Sequence, residues 1–495
     1  MNRRVSRREF VTLAATAGGA AIIGFDRSTD TQIGTQSPSF QGLPNLDGKL
    51  LLDDESRRAI AVDNSNLFHQ IPAAVLKPGS AQDVVRIVQY ANRHSLKVAV
   101  KGDGHSQYGQ TQVAGGIVID SRTLNTVHGP TALGVDVQPG AYWGDIVGAT
   151  RGHAVTPPVY PATCMALTVG GTLSVGGIGN TSHRYGAQVD NVLELDVVTG
   201  DGRLVTCSPD RETELFNMVL AGLGQCAIIV RARLRLMPAP SDVMIQQLTY
   251  TDLDTYLGDQ LRVARDGRYD HIRGGAHRKD GRWTFTADLG KYFTPPEVPD
   301  MAALRSGLRF ESATTPVQMS YAENLFRFEG ETVGPTPSAT RRAFFTVWIP
   351  ASTSKEFVSN ILALPPELAG LPRVAGVERF PLYALNTGPF GRPLFKMPHE
   401  EQAFAIWLFR SFPANNEASL SAMLQSNRDL FAKMTALGGK RYTPYSGIMS
   451  AEDWVTHFGP EVWQRLATAK REYDPNQVLS PGAGMFGRPT RSVGP

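Results

Sequence analysis

The sequence predicts an α+β protein of two units. Three observations carry that reading: an early strand, helix, strand pattern, a series of short apolar runs separated by Gly and Asp turns, and a change of texture near Pro238–Pro240. A chain of 495 residues is long enough for two large units or about three smaller ones. Apolar residues make up 42% and charged residues 19%, a balance that folds as a globule and excludes wholesale disorder.

The elements follow in order. Pro72–Leu76 reads as a short strand, and Pro78-Gly79-Ser80 as a turn with a helix cap. Over Ala81–Arg93 the residues Val84, Ile87, Val88 and Ala91 share one face of a helix, and Lys97–Val100 is the next strand. Between Gly115 and Met237 the runs IVID, VLELDVV and AIIVRARLRL predict a sheet with helices beside it. Beyond Pro240 the glycine density falls. Strand-like runs at Trp283–Leu289, Ala343–Ile349 and Ala403–Phe409, with helical patterns at Thr353–Leu364 and Leu420–Ala436, suit a separate α+β unit.

The chain opens MNRRVSRREFVTLAATAGGAAIIGF. Arg7 and Arg8 precede an uncharged stretch from Phe10 to Phe25. That stretch is short of the roughly 20 residues that cross a bilayer as a helix. A basic start, a weakly apolar stretch and small residues form a signal-peptide pattern, and the paired arginines resemble the twin-arginine type. Residues 1–25 are therefore expected to be a signal peptide and 26–48 a polar linker. This predicts passage through the twin-arginine export machinery, a periplasmic or secreted location, and no stable membrane span. The segment holds Arg3, Arg4, Arg7, Arg8 and Glu9, so it accounts for the whole formal charge of +3. The remainder is neutral and offers no electrostatic case for nucleic acid.

Most familiar catalytic signatures fail. Gly439 and Lys440 lack the first glycine of a phosphate loop, Ala403 breaks HExxH after His399-Glu400, Tyr108 breaks GxSxG, and no GxGxxG follows a strand. Cys164, Cys207 and Cys226 show no CxxC spacing, so neither a metal site nor a disulfide framework is legible. Two glycine-rich segments remain, KGDGHSQYGQ (101–110) and TVGGTLSVGGIG (168–179). Each follows an apolar run and would let backbone amides approach a phosphate-bearing ligand, although either also reads as ordinary tight turns.

With GGIVID and VQPGAYWGDIV, these segments resemble the flavin-binding domain of the p-cresol methylhydroxylase (PCMH) and vanillyl-alcohol oxidase superfamily. Farther on, LTVGGTLSVGGIGNTSHRYGAQVDNVLELDVVTGDGRLVTCS, LFNMVLAGLGQCAIIVRARL, DWVTHFG and YDPNQVLSPGAGMF resemble cytokinin dehydrogenases. The resemblance implies FAD carried on His105 through an 8α bond. It places Gly102, Gly104, Ser106 and Gln110 in the same loop, and Thr168, Ser174, Ile178 and Ile229 against flavin and diphosphate. Tyr442 and Ser480 would reach the cofactor from the C-terminal segment. The implied architecture is a two-part PCMH-type FAD-binding domain, at 49–240 and 436–495, around an α+β substrate domain at 241–435.

The sequence also departs from that pattern. Cytokinin dehydrogenases place an aspartate where Thr163 stands, and a threonine hydroxyl cannot take up a proton near neutral pH. Ala483 replaces the glutamine of their LSPGQ motif. Cys164, separated by five residues from Gly170-Gly171 and 59 beyond His105, is similar to the cysteine that bonds flavin C6 in berberine-bridge-type and carbohydrate oxidases. That likeness implies a second tether; the other reading is a small buried cysteine. Cys207 and Cys226 read as packing. Tyr383 is the candidate base and Asn386 the candidate orienting group, in PLYALN; Trp407 and Phe409 are candidates for pocket wall or core. The expected function is an exported FAD-dependent oxidase or dehydrogenase. It would take a hydride from a C–H next to O or N, in an alcohol, carbohydrate or amine, and pass electrons to O2 or another acceptor. Cytokinin dehydrogenase-like amine oxidation and flavin binding without catalysis stay open as alternatives.

Overall fold

The structure, a computed structural model, describes residues 40–329, 339–374 and 377–487. The expected signal peptide at 1–25 and most of the linker lie outside the described residues. Among the described residues, no helix is long and apolar enough to cross a membrane, and no group of three or more His, Cys, Asp or Glu side chains could hold a metal ion.

The first unit begins with a four-stranded sheet in the order Lys49–Leu51, Ala74–Lys77, Ile117–Asp120, Val98–Lys101. The last three strands run parallel, so Ala74–Lys77 and Val98–Lys101 need a crossover, and the helix Ala81–Arg93 supplies it. Ser80 caps that helix by accepting from the Asp83 backbone N–H. Its predicted face is fully buried at Val84, Ile87, Val88 and Ala91, and each larger aliphatic side chain there contributes about 1.5–3 kcal/mol over an exposed position. A second, antiparallel sheet of four strands has the order Gly134–Val137, Ala227–Arg235, Val192–Thr199, Leu204–Cys207. Arg231 ties three of its strands by pairing with Asp136, Glu194 and Asp196.

The second unit is a ten-stranded antiparallel sheet whose central strands are His271–Lys279, Val377–Asn386, Gln402–Leu408 and Phe345–Pro350. Both of its faces are apolar. Phe345, Val347 and Ile349, with Leu382, Ala384, Phe404 and Ile406, pack under the helices Leu253–Asp266, Ser354–Leu362 and Glu417–Ala436. The alternate residues Trp348, Tyr383, Leu385 and Ala405 join the core of the first unit. The period-2 alternation of a strand thus decides which side chains can face the first unit.

Predicted and observed elements differ mainly at their ends. Arg282–Phe293 is longer than the expected 283–289, and the helix expected at 353–364 is Ser354–Leu362. The C-terminal segment returns to the first unit, but later than position 436: Lys440–Arg441 still pairs with Val347 and Trp348 of the second sheet. Farther on, Val98 donates to the Val478 carbonyl (2.8 Å) and Ser480 donates to Val98 (2.8 Å), adding the chain end to the edge of the first sheet.

A buried ion pair holds this return. Lys470 Nζ donates to Asp474 (2.6 Å) and to the carbonyls of Gln225 (2.8 Å) and Leu479 (3.2 Å). Asp474 also accepts from the backbone of Val478 (2.8 Å) and Leu479 (2.9 Å). Asp474→Ala would leave a buried ammonium without its counter-charge and is expected to lower stability by about 3–5 kcal/mol, read from chemical denaturation. A change within about 0.5 kcal/mol, the range of an ordinary surface substitution, would contradict the clamp.

Candidate active site

Two close approaches bring the glycine-rich segments together. A Cβ at Gly102 would lie 2.0 Å from Thr168 Oγ1, so only glycine lets the first segment touch the second. At Gly104 the backbone has φ +72° and a Cβ would meet Lys101 Cε at 2.5 Å. The first segment is anchored from behind. Lys101 Nζ donates to the carbonyls of Ile60 (2.9 Å) and Val62. Asp63 accepts from the Gly109 N–H (2.6 Å), and Asn64 donates to the Gly104 carbonyl (2.9 Å). From the other side, Gln107 donates through its backbone to Pro444 (3.0 Å), and Gln110 Nε2 donates to Thr443 (2.9 Å). The second segment runs into the helix Val169–Val175, which is buttressed by Trp143 Nε1 donating to Thr172 Oγ1 (2.8 Å).

Between the segments lies an elongated chamber. It is lined by Gly102, Gly104, His105, Ser106, Gln110, Thr168, Ser174, Ile229, Tyr442 and Ser480, ten of the residues expected to contact the cofactor. Ile178 is not among them. It faces an adjoining inner chamber together with Thr163, Cys164 and Tyr383, because it follows the turn that ends the helix. Trp407 and Phe409 form part of the inner wall, and His105, Leu167, Thr172, Tyr442 and Tyr445 line both chambers.

The expectation for Asn386 is corrected. Its amide Nδ2 donates to the carbonyls of His183 (3.0 Å) and Ala264 (2.6 Å), and its Oδ1 accepts from Gln402 (3.0 Å). The residue lines an outer groove instead, because the chain near 386 has passed beyond the inner chamber. Asn386 thus joins elements and does not orient substrate.

Burial governs the titrating groups. It lowers His105 to about 4, with Arg342 adding to the effect, so the imidazole is neutral near pH 7. Its Nδ1 shares a 2.6 Å hydrogen bond with the Tyr445 hydroxyl, and its Nε2 is shielded without a hydrogen-bonding partner among the described residues. Burial pushes the Tyr383 phenol up to about 12, which makes it a proton holder and hydrogen-bond donor, not the resting base expected. Burial, aided by Glu329 and Asp103, pushes the Cys164 thiol up to about 11. Cys164 is half-buried, whereas Cys207 and Cys226 are buried, as packing requires.

Sequence reasoning missed Tyr445, Gln188, Asn180 and Arg273. Tyr445 stands three residues beyond Tyr442, and Asn180 and Gln188 fall inside the segment that carried the resemblance. Arg273 sits on a strand whose text carries no chemical signature. Its place in the chamber comes from sheet register alone.

A neutral, shielded imidazole, an amide oxygen of Gln110 without a partner among the described residues and a glycine-lined cleft fit FAD, and the fold with its paired chambers defines a FAD-binding oxidoreductase. Residues 72–208 match the family model described as FAD binding domain. Residues 382–486 match the one described as Cytokinin dehydrogenase 1, FAD and cytokinin binding. An uncharacterized oxidoreductase, ORF5 in the fasciation locus of Rhodococcoides fascians, is 36% identical over 444 residues, covering 88% of this chain and 98% of that one. Cytokinin dehydrogenase 4 of Oryza sativa subsp. japonica is 30% identical over 501 residues, covering 90% and 91%. The chain belongs to the family of FAD-dependent oxidoreductases that contains the cytokinin dehydrogenases. The crystal structure of 6-hydroxy-D-nicotine oxidase from Arthrobacter nicotinovorans shares its fold, with a TM-score of 0.69 and 22% identity over 88% of this chain and 98% of that one.

The buried histidines set a pH dependence. His105 and His183 are both lowered by burial from an ordinary 6.5 to about 4. Below pH 6.5 the unfolded chain binds protons that the native chain refuses, so stability is full above about pH 6.5 and declines toward pH 4. The loss is about 3 kcal/mol for fully buried His183 and less for His105, whose edge reaches the chamber. Urea midpoints across this window should fall with acidity, and His183→Gln should flatten the profile; a midpoint independent of pH would contradict it.

Proposed function

We propose that this enzyme removes a hydride from a C–H next to oxygen or nitrogen in a small molecule held in the inner chamber, and that O2 or another acceptor reoxidises it. Bound FAD would supply the two-electron acceptor. The observation that carries the reading is the shared wall: His105, Leu167, Thr172, Tyr442 and Tyr445 line both chambers, so a substrate in one lies against the cofactor in the other. Gly102, Gly104, Ser106, Thr168 and Ser480 would hold the cofactor, and Trp407, Phe409 and Tyr383 would enclose the substrate and exclude water. The raised Tyr383 phenol would hold its own proton and hydrogen-bond the substrate's heteroatom, whose proton would pass to solvent as the hydride leaves.

His105 is the proposed covalent tether. A neutral imidazole keeps the lone pair that an electrophilic flavin methyl requires, and the Tyr445 hydrogen bond orients the ring. Cys164 is the proposed second tether, since it lines the inner chamber with His105. Its raised thiol acts against attack in the resting protein, because the thiolate is the nucleophile. Cytokinin-like amine oxidation is the less favoured reading, because Thr163 stands where an acid would receive the amine. The N-terminal segment supports export of folded, flavin-loaded protein.

Denaturing the purified protein tests the tethers. Yellow colour should stay with the polypeptide, and removing both tethers in a His105→Ala/Cys164→Ala double variant should release it. Mass spectrometry should find flavin on a peptide containing both His105 and Cys164 or on their crosslinked peptides. Colour lost to the supernatant from the unaltered protein would contradict the His105 tether, and a Cys164 peptide free of flavin would remove the second. Anaerobic bleaching by a panel of alcohols, carbohydrates and amines tests the reaction.

A further inference from the structure

We propose that the inner chamber takes a substrate that carries a neutral carboxamide group, and that Gln188 and Asn180 form the wall that reads it. This rests on the reading above and names the substrate class for the same site.

Gln188 is 2% exposed and lines the inner chamber, and neither atom of its amide has a hydrogen-bonding partner among the described residues. Asn180, 5% exposed, has an unpartnered Oδ1 in the same wall. Neither residue lines the cofactor chamber. Buried amides are costly to leave unsatisfied, and two in one chamber mark the place of a polar guest.

The backbone holds both amides in place. Gln188 opens the turn Gln188–Asn191, and its N–H donates to the Gly177 carbonyl (2.8 Å). A Cβ at position 177 would lie 2.2 Å from Gln188 Oε1, so glycine there makes room for the amide. Asn180 is fixed from the second unit, since its carbonyl accepts from the Ile272 N–H (3.0 Å). A guest therefore meets a preset pattern and does not shape one.

That pattern selects the guest by hydrogen-bond complementarity. The wall offers two acceptors, Gln188 Oε1 and Asn180 Oδ1, and one donor group, Gln188 Nε2. A ketone would satisfy the Nε2 and leave both oxygens without a donor. An ammonium would serve the oxygens and leave the Nε2 without an acceptor. A carboxylate would set its own oxygens against the two amide oxygens. A primary carboxamide supplies two N–H groups and one carbonyl, which matches all three positions. Trp407 and Phe409, in the wall of the same chamber, suit an apolar or aromatic frame behind that group. The carboxamide is a handle, separate from the C–H that gives up its hydride.

The test uses the flavin-loaded protein and three probes of one frame: benzamide, acetophenone and benzylamine. Acetophenone replaces the amide nitrogen by a methyl of similar size, and benzylamine lacks the carbonyl. Binding is read from perturbation of the flavin spectrum and from the shift in melting temperature. Benzamide should bind about tenfold tighter than either analogue, the scale of leaving one or two buried polar groups unpaired. Gln188→Leu should reduce both ratios to about threefold or less while flavin content and the flavin spectrum stay unchanged. The proposal is overturned if either analogue binds as tightly as benzamide, if benzamide does not bind, or if Gln188→Leu discriminates like the unaltered protein. Loss of flavin from Gln188→Leu with the probe preference intact would assign the amide to the cofactor and overturn it as well. Should Gln188→Leu fail to fold, the probe series on the unaltered protein and on Gln188→Glu, which keeps the shape and loses the donor, decides in the same way. A protein that carries no flavin would overturn the enzyme reading instead, and the melting shift with benzamide would still report on the chamber.

Discussion

The contact between Gly102 and Thr168 is the constraint on which the rest of the site is built. Any side chain at 102 would collide with the threonine hydroxyl at 2.0 Å, and the two glycine-rich segments would separate. Their apposition closes the cofactor chamber and carries His105 into the wall shared with the inner one. The loop does not hold this position alone. Buried Lys101 and Asp63 bind it to the chain before it, and Gln107 and Gln110 bind it to residues 443 and 444. Three distant stretches of sequence therefore set the place of one imidazole.

That dependence gives the C-terminal return its meaning. Tyr442 and Tyr445 complete both chambers, and Ser480 closes the outer one against the first sheet. The segment follows a strand of the second unit and ends on the edge of the first, so the units are bound by a chain that crosses between them twice. The buried Lys470 and Asp474 satisfy one another and four backbone groups. An ion pair so placed holds a segment at a defined register more than it adds net stability.

Burial also explains the chemical tone of the site. It keeps His105 neutral, keeps Tyr383 and Cys164 protonated, and leaves Arg273 as the charged residue of the inner wall among those described. The glycines of the two segments have a double use. At 102, 104 and 170 the missing Cβ atoms make room for Thr168, Lys101 and Pro139 of the protein itself, as well as for backbone amides to approach a ligand.

Local text was sufficient for the elements whose period and caps are self-contained. The helix Ala81–Arg93, the strand Ile117–Asp120 and the glycine-rich segments were legible because apolar spacing, Ser80 and turn glycines act over a few residues. The class of cofactor was legible too, through a resemblance spread over most of the chain. Asn386 shows the limit: its motif placed it near Tyr383, but strand alternation and the end of the strand turned it to His183, Ala264 and Gln402. Arg273 shows the same limit in reverse, since it carries no local signal. The sequence alone determined the α+β class, the glycine-rich loop with His105 and the absence of an acid at position 163. Only the tertiary structure decided which side chains share the inner chamber, because sheet register and burial arise from contacts between residues hundreds of positions apart, and no local pattern encodes them.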